Sequence, residues 1–241
     1  EFILVVHETT QLRQMDSMRR DFISNLSHEL RTPVSVIKAN SETLLNGALE
    51  DKKDAKIFSK AILHNADRLS EMVTSLIDLS RIEYGELKFV IENIVLNRIV
   101  ETVVQAYQNK AKRKNIQIIF KDQPEVIINS DAKAIERVLN NLIDNAFKYS
   151  PENSLIEINL SKQGESIRLA VMDQGEGIAE EDQDLVFKRF FRTATARANT
   201  QQGSGLGLAI VKNLVNNLQG DFGVESRVEG GSEFWFTVPI K

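Results

Sequence analysis

Apolar residues recur at helical spacing through the first third of the chain. Over residues 12–44 they fall at alternating three- and four-residue steps or multiples of these, and a series of the same steps, with Asn65 as its one polar member, covers residues 55–79. Asn46-Gly47, between the two series, is a typical helix stop. Further apolar residues widen both faces. The pattern predicts an antiparallel hairpin of two long amphipathic helices over residues 11–85.

The apolar faces of this hairpin are too broad to be buried by two helices alone. Pairing of two copies into a four-helix bundle buries them, and a homodimer formed through residues 11–85 is the arrangement that we expect. The alternative is a hairpin that packs against the C-terminal part of its own chain.

The pattern changes after Tyr84-Gly85-Glu86, which interrupts the second helix, and residues 86–93 read as a linker or a short strand. Helices are predicted at about 96–113, 131–148 and 206–218, and strands at 116–120, 155–160, 167–172, 222–226 and 234–239. Strands grouped with few intervening helices indicate an α+β fold in which helices cover one face of a sheet. We therefore predict a second domain, an α/β sandwich, over residues 93–241.

Residues 1–10 differ from both predicted domains, because they form a strand-like run. The longest apolar segment in this run, residues 2–6, is far shorter than the roughly 20 residues that a membrane helix needs. The chain begins with Glu1 and lacks a signal-peptide layout, so we interpret it as a fragment of a longer protein. Residues 1–10 are then either the last strand of a preceding domain or a disordered end.

The composition narrows the class of protein further. Hydrophobic residues make up 42% of the chain and charged residues 27%, as in an ordinary soluble globular protein. A net charge of −4 argues against direct binding to nucleic acid or to an anionic membrane surface. Because the chain has no cysteine, disulfides and thiolate metal sites are excluded.

One histidine, His28, has polar neighbours that could support a reaction at its imidazole. It lies in the run Ser27-His28-Glu29-Leu30-Arg31-Thr32-Pro33. His28 is two positions from both Leu26 and Leu30, so a helix turns its imidazole away from these apolar neighbours and toward solvent. The neutral imidazole is nucleophilic. Glu29 is placed to accept a hydrogen bond from the second ring nitrogen, and the hydroxyl of Thr32, one helical turn further on, reaches the same patch.

The predicted helix at 131–148 carries a polar stripe. Asn141, Asn145 and Lys148 share one helix face, and Tyr149 follows directly. Amide oxygens suit Mg²⁺, a lysine provides a point charge for phosphate, and a tyrosine ring can lie against adenine. The stripe predicts a site for a nucleotide and its metal ion.

Two glycine-bearing segments follow in the second half of the chain. Asp173 ends a predicted strand and is followed by Gly175 and Gly177, so its carboxylate can accept a hydrogen bond from the amine of adenine while the chain turns closely around the base. The second segment leads into the helix predicted at 206–218, where backbone N–H groups would bind phosphate; its residues are Gly203, Gly205, Leu206 and Gly207.

These motifs, in this order, resemble the sensor histidine kinases of bacterial two-component systems. Residues 28–33 resemble the phospho-acceptor box of that family, residues 137–150 its N-box, residues 186–192 its F-box, and residues 173–177 and 203–208 its glycine boxes. The family usually has Asn where this chain has Gln174. The resemblance implies a dimeric four-helix bundle followed by an ATP-binding domain of the GHKL (Bergerat) type.

The resemblance also implies an activity, with ATP and Mg²⁺ as cofactors. It implies autophosphorylation of His28 and transfer of the phosphoryl group to an aspartate in the receiver domain of a response regulator. Asn145 and Asn141 would hold Mg²⁺, and Arg192 would stabilise charge near the γ-phosphate. Thr32 would orient a water that dephosphorylates the regulator. Residues 193–202, rich in Ala, Thr and Gln, would form a mobile lid.

Location and alternatives follow from the same resemblance. The chain would be the cytoplasmic portion of a protein anchored in the inner membrane through a missing N-terminal region, in which residues 1–10 would end a PAS-type sensor domain. One alternative is a GHKL-type ATPase, but those enzymes activate water with a glutamate at the position that Asn141 occupies. The other alternative is a non-enzymatic dimeric scaffold, which the intact His28, Asn145 and Asp173 disfavour.

Overall fold

The computed structural model describes residues 10–121, 123–198 and 203–240. Of the strand-like run predicted at residues 1–10, residues 1–9 lie outside these ranges, and Thr10 is the first residue of a helix. The chain divides into two compact units, Glu1–Val73 and Thr74–Lys241.

Two long helices dominate the first unit, as predicted. Helix α1 covers Thr10–Thr43, and helix α2 covers Lys52–Glu83 and continues into the second unit. The chain turns between them at the predicted stop, where Gly47 has a φ of 121°, a backbone conformation that L side chains rarely adopt. The carboxylate of Asp51 then accepts hydrogen bonds from the N–H groups of Lys53 and Asp54, which caps the start of α2.

Apolar side chains remain exposed on both helices of the first unit within this single chain. They include Ile23 and Val34 on α1, and Ile57, Leu63 and Val73 on α2. Isolated exposed apolar residues are ordinary, but several of them along two neighbouring helices are not. The predicted breadth of the apolar faces is therefore confirmed.

A five-stranded mixed sheet forms the second unit together with its helices. The strands follow the order β2-β4-β5-β7-β6, with β2 parallel to β4 and all other pairs antiparallel. Their bounds agree closely with the predicted strands: β2 Gln117–Phe120, β4 Leu155–Gln163, β5 Ser166–Met172, β6 Phe222–Ser226 and β7 Ser232–Pro239.

Three helices pack on the sheet of this second unit: α3 Leu96–Lys114, α4 Ala132–Tyr149 and α7 Gly207–Asn217. Alternate residues of the central strands are buried beneath them, for example Ile156 and Ile158 in β4 and Phe234 and Phe236 in β7. This alternation is what a sheet covered by helices on one face requires. The α/β sandwich predicted for this part of the chain is confirmed.

A short strand, β1 Glu92–Val95, overlaps the end of the segment predicted as a linker or a short strand at residues 86–93, and three further short elements were not predicted. A separate two-stranded antiparallel sheet pairs β1 with β3, Ile127–Ser130. Two short helices, α5 Glu180–Gln183 and α6 Ala194–Ala198, lie between β5 and α7. Among the residues that the structure describes, no helix is both long and apolar enough to cross a membrane.

Candidate functional site

His28 lies on α1 with its side chain exposed, whereas the neighbouring Leu26 and Leu30 are partly covered. Helix geometry predicted this orientation. The imidazole is therefore accessible to a nucleotide or a protein partner, which a phospho-acceptor requires. Thr32 lies one turn further on, and its hydroxyl donates a hydrogen bond of 3.4 Å to the carbonyl oxygen of His28.

Glu29 has a partner that the sequence did not reveal. Its Oε2 accepts a hydrogen bond from Nη2 of Arg68 on α2, at 3.1 Å. The carboxylate that is predicted to accept a hydrogen bond from the ring of His28 thus also binds the second helix, through Oε2. The side chains of Glu29 and Arg68 are only 29% and 22% exposed, so solvent screens this pair less than a surface ion pair.

The polar stripe of the second unit lies on α4, whose start is well defined. Oδ1 of Asp131 accepts a hydrogen bond from the N–H of Ala134 at 2.8 Å, and the same carboxylate accepts one from the N–H of Val90. The opposite face of the helix packs in the core. Its buried residues are Ala134, Ile135, Val138, Leu139, Leu142, Ile143, Ala146 and Phe147. Burial of that face leaves the polar stripe on the outer side, where Asn141, Asn145 and Lys148 are half-buried.

Asn141 meets the start of α7. Its Nδ2 donates a hydrogen bond of 2.8 Å to the carbonyl oxygen of Arg137, which leaves Oδ1 facing Gly207. A β-carbon on Gly207 would lie 2.8 Å from that oxygen, so any side chain there would displace the amide of Asn141. The glycine therefore allows the first turn of α7 to approach the amide of α4, and the N-box and the second glycine segment form one site.

The same glycine segment contacts the phenylalanine-rich run at residues 187–191. The N–H of Phe190 donates a hydrogen bond of 2.9 Å to the carbonyl oxygen of Gly205, and a β-carbon on Gly205 would lie 2.8 Å from the backbone of Phe190. Gly205 also has a φ of 68°. At the other end of α4, the hydroxyl of Tyr149 lies 3.9 Å from where Gly203 would carry a β-carbon.

Asp173 is the buried acid of the site, with 3% of its surface exposed. Its Oδ1 accepts hydrogen bonds from the N–H of Gly175 at 2.8 Å and from the N–H of Ser232 at 3.2 Å. Burial raises the pKa of Asp173, while the two N–H groups and the nearby Arg227 oppose that rise. A β-carbon on Gly175 would lie 2.9 Å from the carbonyl oxygen of Tyr149, so Asp173 and the end of α4 are close neighbours.

The turn between β6 and β7 was missed as part of this site. Gly231 has a φ of 92°, and Nη1 of Arg227 donates a hydrogen bond of 3.4 Å to the carbonyl oxygen of Asp173. A β-carbon on Gly231 would lie 2.0 Å from that same oxygen. The pair Gly230-Gly231 before a strand indicates a turn, but no pattern in the neighbouring sequence indicates that this turn lies against Asp173.

Replacing Gly231 with Ala should therefore lower the free energy of unfolding by about 3 kcal/mol or more, because strain and a backbone clash combine. Gly230→Ala is the matched control, since Gly230 has the same φ of 92° but open space around it, and it should lose only about 1 kcal/mol. Urea unfolding followed by the fluorescence of Trp235, the single tryptophan of the chain, measures both. Equal losses would show that the contact with Asp173 is unimportant.

Arg192 and Gln174 form hydrogen bonds that the sequence motifs do not reveal. Nη2 of Arg192 donates a hydrogen bond to the carbonyl oxygen of Ala196, so the guanidinium lies against the following helix α6. Oε1 of Gln174 accepts a hydrogen bond of 2.8 Å from the N–H of Leu155, so this unusual residue ties β4 to the glycine segment. The predicted lid contains α6, and its residues 199–202 lie outside the described ranges.

The donor set of the second unit suits a nucleotide with a hard metal ion. Within the described part of the chain there is no group of three or more His, Asp or Glu side chains that would hold a metal by itself. A cation here would depend on the amide oxygens of Asn141 and Asn145 together with the oxygens of a bound phosphate, which is typical of Mg²⁺. The close approach of Gly207 to Asn141 brings the start of α7, whose N–H groups can bind phosphate, next to these amide oxygens.

Two family models match the chain in the order that its motifs predict. Residues 18–85 match the His Kinase A (phospho-acceptor) domain. Residues 130–241 match the histidine kinase-, DNA gyrase B- and HSP90-like ATPase domain. Fold and site thus define a protein in which a helical phospho-acceptor domain precedes a nucleotide-binding domain.

Most of the chain's length is similar to proteins that are named histidine kinases. The sensor-like histidine kinase SenX3 of Mycobacterium tuberculosis is 37% identical over 237 residues, which are 98% of this chain and 58% of SenX3. The solved structure of histidine kinase AdeS from Acinetobacter baumannii matches with a TM-score of 0.71 and 28% identity, over 89% of this chain and 98% of that chain. Histidine kinase ThkA, solved in complex with the response regulator protein TrrA, matches with a TM-score of 0.78 and 25% identity, over 97% of this chain and 65% of that chain.

This chain belongs to the sensor histidine kinases of two-component systems. It spans 58% of the length of SenX3, so SenX3 contains further sequence that the chain does not match.

Proposed function

We propose that this chain transfers the γ-phosphoryl group of ATP to His28 and then to an aspartate in the receiver domain of a response regulator. The observation that carries the proposal is the exposed His28 in a phospho-acceptor helix, in one chain with a site of nucleotide-binding chemistry. A surface histidine alone is ordinary. A surface histidine that lies in the phospho-acceptor sequence and is followed by an ATP-binding type of domain can accept a phosphoryl group from ATP.

In this proposal the second unit holds the nucleotide. The carboxylate of Asp173 accepts a hydrogen bond from the amine of adenine, which selects ATP over GTP, and the ring of Tyr149 lies against the base. The N–H groups at the start of α7 and the ammonium of Lys148 bind phosphate. The amide oxygens of Asn145 and Asn141 would hold Mg²⁺, which would neutralise charge on the phosphates.

The chemistry at His28 is a nucleophilic displacement. One imidazole nitrogen forms a bond to the γ-phosphorus while the bond from that phosphorus to the bridging oxygen of ADP breaks. The proton on the other ring nitrogen passes to the carboxylate of Glu29, which stabilises the positive charge that develops on the ring. The guanidinium of Arg192, whose Nη2 donates to the carbonyl oxygen of Ala196, stabilises charge near the γ-phosphate.

The residues of the nucleotide site argue against both alternative functions, a GHKL-type ATPase and a non-enzymatic scaffold. A GHKL-type ATPase needs a carboxylate that activates water, and Asn141 provides only an amide at that position. A non-enzymatic scaffold needs no intact nucleotide site, whereas Asp173 here keeps its hydrogen bonds to Gly175 and Ser232. Both observations favour transfer to a protein nucleophile.

The experiment that separates these functions is incubation of the chain with Mg²⁺ and ATP labelled at either the γ- or the α-phosphate. The proposal predicts that γ-label alone becomes attached to protein, and that ADP forms in step with the attached label. Free phosphate in large excess over attached label would favour the ATPase, and nucleotide binding without ADP formation would favour the scaffold.

The partners follow from the first unit. A homodimer through residues 11–85 would cover the apolar side chains that remain exposed on α1 and α2 in a single chain. The complex of ThkA with TrrA supports a response regulator as the second partner. Since ATP and receiver domains are cytoplasmic, we propose that this portion works in the cytoplasm, with any membrane anchor in sequence that precedes it.

Thr32 provides a test of phosphatase activity. If its hydroxyl orients the attacking water, Thr32→Ala should leave labelling of His28 largely intact but slow the loss of phosphate from the regulator on the order of a hundredfold. The measurement is the decay of phosphorylated regulator mixed with each variant and ADP. Thr43→Ala is the matched control, because Thr43 is exposed on the same helix and its hydroxyl also donates to a carbonyl oxygen four residues earlier. Equal decay rates for the two variants would remove Thr32 from the mechanism.

A further inference from the structure

Arg68 on α2 is joined to the residue that follows the phospho-acceptor. Its Nη2 lies 3.1 Å from Oε2 of Glu29, and the two side chains are only 22% and 29% exposed. The pair links positions 39 residues apart in the sequence. A charge-assisted hydrogen bond in such a half-buried place fixes both side chains more firmly than an exposed pair does.

The exposed ion pair Lys38–Glu42 on the same hairpin offers a comparison. Its atoms are 3.8 Å apart, and its side chains are 75% and 59% exposed. Such a pair contributes little and holds neither side chain in one orientation. The bond between Arg68 and Glu29 is shorter, better covered and formed between two different helices.

A second observation concerns the remaining donors of Arg68. Its Nε is buried and has no hydrogen-bond partner among the described residues. An arginine that served only to join the helices would gain from satisfying this donor as well, because an unpaired buried N–H is unfavourable. The hydrogen bond from Nη2 of Arg68 goes instead to Glu29, the residue next to His28.

We infer that Arg68 is a positioning residue for phosphorylation of His28, because it holds the carboxylate of Glu29 in one orientation. Adjacent residues on a helix point about 100° apart, so a mobile Glu29 spends much of its time away from the imidazole. Arg68 engages Oε2 and leaves Oε1 to accept the proton of the imidazole as the bond from nitrogen to phosphorus forms. The inference rests on the proposed function, in which Glu29 accepts that proton.

Autophosphorylation kinetics test this role. Arg68→Gln should lower the maximal rate of labelling by about tenfold and leave the KM for ATP unchanged, because the nucleotide is bound by the other unit. Arg68→Lys should recover part of the loss, since it keeps a charge but not the planar fork of donors. Lys60→Gln is the matched control, because it removes one positive charge from an exposed position of α2 and should have no effect.

A double-mutant cycle separates positioning from mere stabilisation of the hairpin. In a Glu29→Gln background, Arg68→Gln should cause no further loss of rate, because the group that it positions is already absent. Equal losses in the two backgrounds would overturn the inference, and so would an Arg68→Gln variant that is as fast as the parent or faster. Loss of helical circular dichroism in Arg68→Gln but not in Arg68→Lys would assign the residue to folding and would equally contradict a positioning role.

The proposed function can fail separately from this inference. If the parent chain acquires no label, or if label persists in a His28→Gln variant, the proposed function is wrong. If the parent is labelled on His28 but the double-mutant cycle shows no coupling between Arg68 and Glu29, only the positioning role is wrong.

Discussion

Replacement of His28 by Gln is expected to abolish labelling of the chain by γ-labelled ATP. Glutamine is polar and of similar size, but its amide is not nucleophilic, so the phosphoryl group has no acceptor. His28 is exposed, which means that the change should leave the hairpin, the dimer and the nucleotide site intact. Measured on the same samples, the variant should therefore carry no label while its affinity for ATP equals that of the parent.

The matched control for this variant is His64→Gln. His64 is also exposed and also lies on a helix of the first unit, but its sequence setting lacks the phospho-acceptor motif. Labelling of the His64 variant should equal that of the parent. Label that persists in His28→Gln, or that disappears from His64→Gln, would show that the acceptor has been assigned to the wrong residue.

The second large effect is expected at Asn145. Asn145→Ala removes an amide oxygen from the outer face of α4, and the buried face of that helix does not depend on it. We expect Mg²⁺-dependent ATP affinity to fall by on the order of a hundredfold, or about 2.7 kcal/mol, because a hard ligand of the ion is lost. Titration calorimetry with ATP, in the presence and absence of Mg²⁺, measures the change.

Asn217→Ala is the control for Asn145→Ala, because Asn217 is an exposed helical asparagine whose amide donates to the carbonyl oxygen of Asn213. It should leave ATP affinity unchanged. An Asn145→Ala variant with the Mg²⁺-dependent affinity of the parent would remove Asn145 as a ligand. A variant that loses affinity equally with and without Mg²⁺ would instead indicate a contact with the nucleotide.

The long elements could be predicted because their signals are local. Apolar residues at steps of three and four predicted α1 and α2. Strand-like runs of apolar and polar residues predicted β4, β5 and β7 within a few residues of their bounds. The exposure of His28 also followed from helix geometry alone. The polar stripe on α4 was visible for the same reason, since residues four apart on a helix share a face.

The features that were missed depend on contacts between distant positions. Arg68 meets Glu29 only after the hairpin forms, and no local pattern marks it. Gly231 and Ser232 approach Asp173 because β5 and β7 pair with Met172 opposite Glu233, a register that the sequence does not display. Strands β1 and β3 have four residues each and pair with one another, which is too short for a recognisable alternation.

The most direct test of the account is the chemistry of the phosphorylated residue itself. After incubation of the chain with Mg²⁺ and ATP, the intact mass should rise by one phosphoryl group, and fragmentation should assign the modification to His28. The bond from nitrogen to phosphorus should be lost in acid and retained in base. A modification that is stable in acid, or that lies on any residue other than His28, would contradict the assignment of this chain as a kinase that phosphorylates its own histidine.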